Sequence, residues 1–316
     1  MSSEAHRSFE CFGGTATIHV RGTSTASGEE AADEARSQLL DAHRRLSRFR
    51  EESELARLNR DPRDEVPATL LLRRLAAAVA TAGSRSGGLV DATLLGNLER
   101  AGYRHSLKGP GPFSLAEALS RRPQRAPAQP HPSRLWRSIG IDEGRGTIVR
   151  PPGVRIDSGG IAKGLVADLV GDALRKHRTY AVDCCGDIRI GGSAGGERTV
   201  RVEDPFGGDP VHELKLRDGA VATSGIGRRC WVGTDGGVAH HILDPCSGEP
   251  AFTGVVQATA LASSALLAEV YAKAALLSGP EHAAEWLPHG GAVIRDDGSV
   301  DMVAAERSLG QLAVAS

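Results

Sequence analysis

A glycine-rich segment at residues 157–168 has the residue types that could hold a phosphate group: Asp-Ser-Gly-Gly-Ile-Ala-Lys-Gly-Leu-Val-Ala-Asp. Glycines such as Gly159 and Gly160 let backbone N–H groups approach a ligand closely, and the first turn of a helix favours an anion. Lys163 could add a compact positive charge beside the phosphate. The segment fits an ordinary glycine turn with a surface lysine about equally well, because such a short turn is weakly specific.

A strand and a helix are predicted on either side of this segment. Residues 154–156 alternate as the end of a strand does. After the glycines, apolar residues recur at helical spacing at Leu165, Val166, Leu169, Val170 and Leu174. The sequence therefore predicts a strand, a glycine bend and a helix, with the lysine near the start of the helix.

Other residues capable of chemistry lie further along the chain. His241 could exchange a proton, although a lone histidine is more often structural. Asp187, after a predicted strand, could accept ribose hydroxyls or cap its own turn. Glu269 and Lys273 lie one turn apart in a helix predicted over 263–277. If exposed, such a pair contributes only ~0.2–0.5 kcal/mol.

Composition excludes several classes of protein. The formal net charge of −1 does not favour a nucleic-acid surface or a polybasic membrane contact. The five cysteines are irregularly spaced, which argues against a secreted disulfide framework. No signal-peptide core and no apolar run of membrane-spanning length is visible. We therefore expect a cytoplasmic protein with no nucleic-acid partner and no membrane anchor.

The segment 157–168 resembles the Asp-x-Gly-Gly-Ile-Ala-Lys-Gly-x-x-x-Asp signature of the FAD:protein FMN transferases, the ApbE family. Further similarity, in the same order along the chain, lies at 13–15, 46–59, 87–93, 186–188, 220–225 and 241–248. The resemblance covers roughly residues 9–300. It implies an α+β fold with mixed or antiparallel sheets flanked by helices, in which two lobes enclose a flavin-binding cleft.

The resemblance also implies site residues. His241 stands where the family places a histidine at the reacting phosphate, and we expect Glu269 and Lys273 to act beside it. The residues expected to contact FAD are Gly13, Thr15, Phe49, Asp91, Asp157, Gly160, Lys163, Asp187, Thr223, Ser224, Gly225 and His241. The positions expected at the family's Mg²⁺ ion are Ala162 and Glu269. Core packing is the simpler expectation for Phe49, and helix capping is the simpler one for Thr93.

Several positions depart from the family pattern. Asp183 and Cys185 replace Asn and Gly, and an Ile-Gly pair at 226–227 replaces Asp-Tyr. Lys273 stands where the family has a threonine that helps to hold Mg²⁺, and its ammonium repels a nearby cation. Glu269 keeps an oxygen ligand on a longer side chain. Lys273 could therefore neutralise the pyrophosphate in the metal's place, or the site could bind a different ligand or none.

Three functions remain open at this point. The first is transfer of FMN from FAD to a threonine or serine hydroxyl of an acceptor protein, with release of AMP. The second is hydrolysis of FAD to FMN and AMP by the same groups. The third is a repurposed protein that acts on or binds another ligand, which the departures favour.

Domain organisation is predicted from the same patterns. We expect one domain over 9–300, a loose N-terminus at 1–8, and an exposed loop or insertion at 108–134, where proline, serine and arginine are frequent. A helix is predicted to begin at Ser27, and another to cover 67–83.

Overall fold

An eight-stranded sheet is the centre of the structure, a computed structural model that describes residues 3–106 and 113–306. The strands of the described residues are β1 (Ala5–Cys11), β2 (Gly14–Arg21), β3 (Glu65–Pro67), β4 (Gly140–Asp142), β5 (Thr147–Val149), β6 (Thr179–Cys184), β7 (Asp187–Gly191), β8 (Arg198–Val202), β9 (His212–Leu216), β10 (Gly219–Gly225), β11 (Cys230–Val232), β12 (Val238–His240), β13 (Val255–Ala262), β14 (Gly291–Arg295) and β15 (Val300–Val303). The central sheet has the order β1-β2-β6-β7-β10-β13-β14-β15, and every neighbouring pair in it is antiparallel.

Helices pack against this sheet, and the described residues also form smaller, separate sheets. The helices are α1 (Thr25–Leu46), α2 (Glu54–Arg60), α3 (Leu70–Arg85), α4 (Leu95–Arg100), α5 (Leu115–Ser120), α6 (Ala162–Leu174) and α7 (Ala265–Ser278), with 3₁₀ turns at Leu135–Ser138 and Ala283–Trp286. The smaller sheets are β3-β5-β4, β8-β9 and β11-β12, and all of their pairs are antiparallel. The α+β class with antiparallel sheets is therefore confirmed.

Close packing of α6 on α7 positions the residues of the glycine-rich segment. Gly164 makes this approach possible, because a Cβ on it would lie 2.5 Å from the carbonyl oxygen of Ala265. Asp168 fixes the start of α7, since its two carboxylate oxygens accept the N–H groups of Ala265 and Leu266 at 2.7 and 2.9 Å. The last acid of the predicted motif thus caps a neighbouring helix.

Two expectations about irregular segments are wrong in part. Residues 5–8, expected to be loose, belong to β1 and pair with β2, and Ala5 is buried in the main core. In the stretch expected to be an exposed loop, Leu115, Leu119 and Ala128 are buried in the same core. Apolar side chains thus anchor this stretch despite its polar composition. The part of that prediction at 108–112 lies outside the described residues.

Among the described residues, none of the helices combines the length and the apolar character needed to cross a bilayer.

Candidate active site

One cavity lies beside the glycine bend that joins residues 157–160 to α6. Its wall includes Phe12, Gly13, Arg48, Phe49, Asp91, Tyr103, Asp157, Gly159, Gly160, Lys163, Arg229, His241 and Lys273. These residues come from the turn after β1, the segment after α1, the loops on either side of α4, the bend with the start of α6, the loops before β11 and after β12, and α7. The cavity therefore collects residues that are far apart in the sequence.

Hydrogen bonds hold the glycine bend from both sides. The N–H of Asp157 donates to the carbonyl of Ala92 at 2.8 Å, and the hydroxyl of Ser158 donates to the carbonyl of Leu46 at 2.8 Å. At the start of α6, the N–H of Ala162 donates back to the carbonyl of Ser158 at 2.9 Å. The bend is therefore a fixed part of the wall, with Gly160 facing the cavity.

Two lysines and two acids form a buried charged cluster behind this bend: Lys163, Lys273, Asp187 and Glu269. The ammonium of Lys163 donates to Oδ2 of Asp187 at 2.6 Å and lies 3.8 Å from Oε1 of Glu269. Lys273 lies 4.0 Å from the same Oε1, while Oε2 of Glu269 accepts the N–H of Gly164 at 3.0 Å. Both acids are buried. The cluster carries two positive and two negative charges when all four groups are ionised.

Burial and mutual charge decide the protonation of this cluster. Burial opposes the ammonium of Lys163, but the charges of Asp187 and Glu269 outweigh it and raise the pKa of Lys163. Burial and then the charge of Glu269 raise the pKa of Asp187. Burial lowers the pKa of Lys273, although Glu269 opposes the change. Because the ammonium of Lys163 donates a short hydrogen bond to Asp187, the pair is ionised.

Lys273 touches the glycine bend directly. Its ammonium donates a hydrogen bond to the carbonyl of Gly160 at 2.6 Å. A Cβ on Gly160 would lie only 2.3 Å from that nitrogen. The absence of a side chain at Gly160 therefore lets the lysine of α7 reach the cavity.

A cation that packs over two neighbouring aromatic rings forms another part of the wall. The guanidinium carbon of Arg48 lies 4.1 Å from the ring centre of Phe49 and 4.4 Å from that of Tyr103. Tyr103 stacks in turn on Trp231, with ring centres 5.0 Å apart. Arg48 also pairs with Asp157, Nε to Oδ1, at 3.0 Å. Phe49 is 37% exposed and lines the cavity, so the expectation that it is a core residue is wrong.

Sequence reasoning missed the two arginines of the wall. Arg48 precedes the aromatic position of the segment 46–59, and Arg229 lies in the loop before β11. Arg229 donates to the carbonyl of Phe12 at 3.3 Å. Arginine is abundant in this chain, so residue type gave no signal. Only the adjacency of Arg48 to Phe49 could have pointed to one of them.

His241 and His240 have different surroundings. His241 lines the cavity, and its Nδ1 is buried without a hydrogen-bond partner in the described residues. Burial, followed by the charge of Arg229, lowers the pKa of His241 well below its usual value, so the ring is neutral. His240 is fully buried against Phe252, and burial lowers its pKa to about 3. Only His241 is placed to meet a ligand.

The sequence profile of the ApbE family matches residues 12–294. The chain belongs to the ApbE family. It is 30% identical over 258 residues to the FAD:protein FMN transferase of Treponema pallidum, which covers 75% of this chain and 68% of that relative. It is 28% identical over 293 residues to the protein of the same name from Vibrio cholerae, covering 89% and 83%.

Solved structures of ApbE proteins share the fold. The chain superposes on the ApbE protein of Thermotoga maritima with a TM-score of 0.77 and 24% identity, covering 95% of this chain and 97% of that one. The apo flavinyl transferase ApbE of Pseudomonas stutzeri gives a TM-score of 0.73 at 20% identity, covering 99% and 98%. At these identities the likeness concerns the fold alone.

Several positions expected from the ApbE pattern lie off the cavity wall. Thr15 is exposed and donates to Oε1 of Glu10 at 3.1 Å. The hydroxyl of Thr223 is 2.8 Å from that of Thr259 on the neighbouring strand β13. Ser224, Gly225 and Ala162 are likewise not among the wall residues. Asp187 and Glu269 stand behind the wall and reach the cavity only through the two lysines.

Asp91 and Thr93 form a local turn. Oδ1 of Asp91 accepts the N–H and the hydroxyl of Thr93 at 2.8 and 2.6 Å. The residue before α4 is Leu94, and no side chain caps that helix. The expectation that Thr93 is a cap is therefore wrong, and its role is to orient Asp91 on the cavity wall.

The Mg²⁺ ion of the ApbE pattern does not fit these residues. Mg²⁺ requires near-octahedral oxygen ligands. Both oxygens of Glu269 already face donors, and the carbonyl of Gly160 accepts from Lys273. Two unit charges of like sign 4 Å apart repel by about 4 kcal/mol at an effective dielectric constant near 20, so a divalent ion beside Lys273 would meet roughly twice that. Among the described residues, no three His, Cys, Asp or Glu side chains are grouped to hold a metal.

Proposed function

We propose that this protein transfers the FMN portion of FAD to a threonine or serine hydroxyl of an acceptor protein and releases AMP. The observation that carries the proposal is the meeting of the glycine bend, Lys273 and His241 on one cavity wall. Relatives named FAD:protein FMN transferase support the choice of FAD as substrate.

The cavity offers separate surfaces for the pyrophosphate and for a flat ring system of FAD. The pyrophosphate would lie against Gly159 and Gly160, where the backbone is accessible and the ammonium of Lys273 is close. A flat ring system would lie on the exposed face of Phe49, beside the guanidinium of Arg48. Aromatic stacking and a nearby cation both stabilise such a ring. Gly13, on the same wall, would border the ligand.

His241 is the residue suited to take the proton of the attacking hydroxyl. Its lowered pKa keeps the ring neutral and able to accept a proton. The acceptor oxygen would attack the FMN-side phosphorus, the bond from that phosphorus to the AMP oxygen would break, and AMP would leave. The cation of Lys273 would offset the charge that develops on the phosphate oxygens. The product is FMN joined to the acceptor by a phosphoester.

The test is a product assay with the full chain, FAD and a peptide that carries one acceptor threonine. We expect AMP in the supernatant and, by mass spectrometry, the FMN adduct on the peptide. A peptide with valine at that position is the matched control and should remain unmodified. AMP and free FMN at equal rates with either peptide would show hydrolysis instead, and no AMP in any mixture would overturn FAD cleavage.

A variant separates binding from chemistry. His241→Asn should bind FAD nearly as well as the unchanged chain, because the cations and the glycine bend remain. It should release AMP roughly 10²–10⁴-fold more slowly, the usual contribution of a general base. An unchanged rate of AMP release would remove His241 from the proposed chemistry.

A further inference from the structure

Within the charged cluster, the ammonium of Lys273 has N–H donors that no described protein group accepts. An ammonium carries three N–H donors. For Lys273 the structure assigns one of them to the carbonyl of Gly160 at 2.6 Å, and its charge partner Glu269 is 4.0 Å away. Lys163 differs, because it is paired directly with Asp187 at 2.6 Å. Lys273 is therefore the lysine of the cluster that is free to meet a ligand.

The surroundings hold Lys273 in a fixed position on the cavity wall. Its side chain extends from α7 to the glycine bend and is only 15% exposed. The glycine at position 160 leaves room for the ammonium, since any Cβ there would lie 2.3 Å from Nζ. Glu269, one turn earlier on α7, is anchored by the N–H of Gly164 at 3.0 Å. An ammonium held in this way needs no rearrangement to meet an anion.

We propose that Lys273 is a built-in cation that replaces the divalent metal, so that the protein binds and cleaves metal-free FAD. This inference rests on the proposed function, from which it takes FAD as the substrate. It adds that the site accepts FAD without a bound divalent metal ion. A divalent ion beside Lys273 would meet the positive charge of both lysines, and the oxygens of Glu269 and the carbonyl of Gly160 already face ammonium or N–H donors. The pyrophosphate would supply an anionic oxygen at hydrogen-bond distance from Lys273, which Glu269, 4.0 Å away, does not.

The decisive experiment compares FAD affinity with and without Mg²⁺ in the unchanged protein. The purified full chain is treated with EDTA, and FAD binding is followed by flavin fluorescence in EDTA and in excess Mg²⁺. We expect the two dissociation constants to agree within about twofold, and AMP release to persist in EDTA. Tighter binding in Mg²⁺ by tenfold or more, or loss of AMP release in EDTA, would overturn the inference.

Variants test the role of the charge itself. Lys273→Met keeps the length of the side chain without the charge and should weaken FAD binding by roughly 10–100-fold in EDTA. Lys273→Thr should weaken it similarly and should recover at least part of the loss in Mg²⁺. Lys215→Met, at an exposed position on β9, is the matched control and should bind FAD as the unchanged chain does.

The outcomes separate this inference from the proposed function. FAD affinity equal in Lys273→Met and in the control would overturn the role of the lysine while leaving FAD as the substrate. Thermal unfolding of each variant shows whether it is folded, and the comparison in EDTA needs no variant at all. Failure of the unchanged chain to bind FAD in either buffer would overturn the proposed function, and this inference with it.

Discussion

The contact between Gly160 and Lys273 allows a perturbation of known size. In Gly160→Ala the new Cβ would lie 2.3 Å from Nζ of Lys273, whereas ordinary contacts begin near 3.4 Å. The ammonium must therefore move by about 1 Å, and its 2.6 Å hydrogen bond to the carbonyl of residue 160 is lost. A hydrogen bond to a charged group contributes about 1.5–3 kcal/mol to stability. Replacing glycine by alanine offsets about 0.4–1 kcal/mol of that loss, because alanine lowers the conformational entropy of the unfolded chain. We expect a net loss of about 1–2 kcal/mol in the free energy of unfolding.

A double-mutant cycle measured by urea unfolding isolates this contact. In a Lys273→Ala background there is no ammonium to displace, so Gly160→Ala should be neutral or stabilising there. The two changes should therefore be non-additive by about 1–3 kcal/mol. Gly140→Ala is the matched control, because its Cβ would meet Val149 at an ordinary 3.8 Å. Equal destabilisation by Gly160→Ala in both backgrounds would refute the contact.

Three further predictions concern pH and packing. The pKa of His241 is far below its usual value, so kcat/KM for FAD should stay constant from pH about 8 to about 6. A decline centred near pH ~6.5, the usual pKa of a histidine, would contradict a neutral His241. Burial raises the pKa of Asp168 to about 6, above ~3.9 in the unfolded chain, so the folded chain holds an extra proton between these values. Its contribution makes the free energy of unfolding fall as pH rises from about 4 to about 6, and Asp168→Asn should remove that part of the slope in urea titrations; an unchanged slope would contradict it. Gly83→Ala would place a Cβ 2.2 Å from Cδ2 of Trp136 and should cost about 1–3 kcal/mol in the same assay, whereas an unchanged midpoint would show that the ring moves aside freely.

The helices were predicted best, because their apolar spacing repeats over several turns. The prediction over 263–277 corresponds to α7 (Ala265–Ser278), and that over 67–83 corresponds to α3 (Leu70–Arg85). The start of α1 was placed too late: Ser24 is the cap, and Ser27 completes its capping box. Two serines three residues apart satisfy the same local pattern, so the sequence alone did not decide between them.

The candidate site could be predicted from the sequence only in part. The motif contributes Asp157, Gly160 and Lys163 to one cavity wall, and their contact with FAD stays a prediction. It could not show that Lys163 is paired with Asp187, because that contact depends on how α6 packs beside the turn between β6 and β7. Arg48 was missed for a related reason, since its partners Tyr103 and Asp157 are distant in the sequence. Long-range charge pairing is set by packing, which local patterns do not encode.

The most direct test of the account is a crystal structure of the chain grown with FAD in the presence of EDTA. We predict that the pyrophosphate lies against Gly159 and Gly160, with a phosphate oxygen within hydrogen-bond distance of the ammonium of Lys273 and with His241 facing the FMN-side phosphorus. FAD bound elsewhere, or a pyrophosphate in this cavity turned away from Lys273, would contradict the central claim.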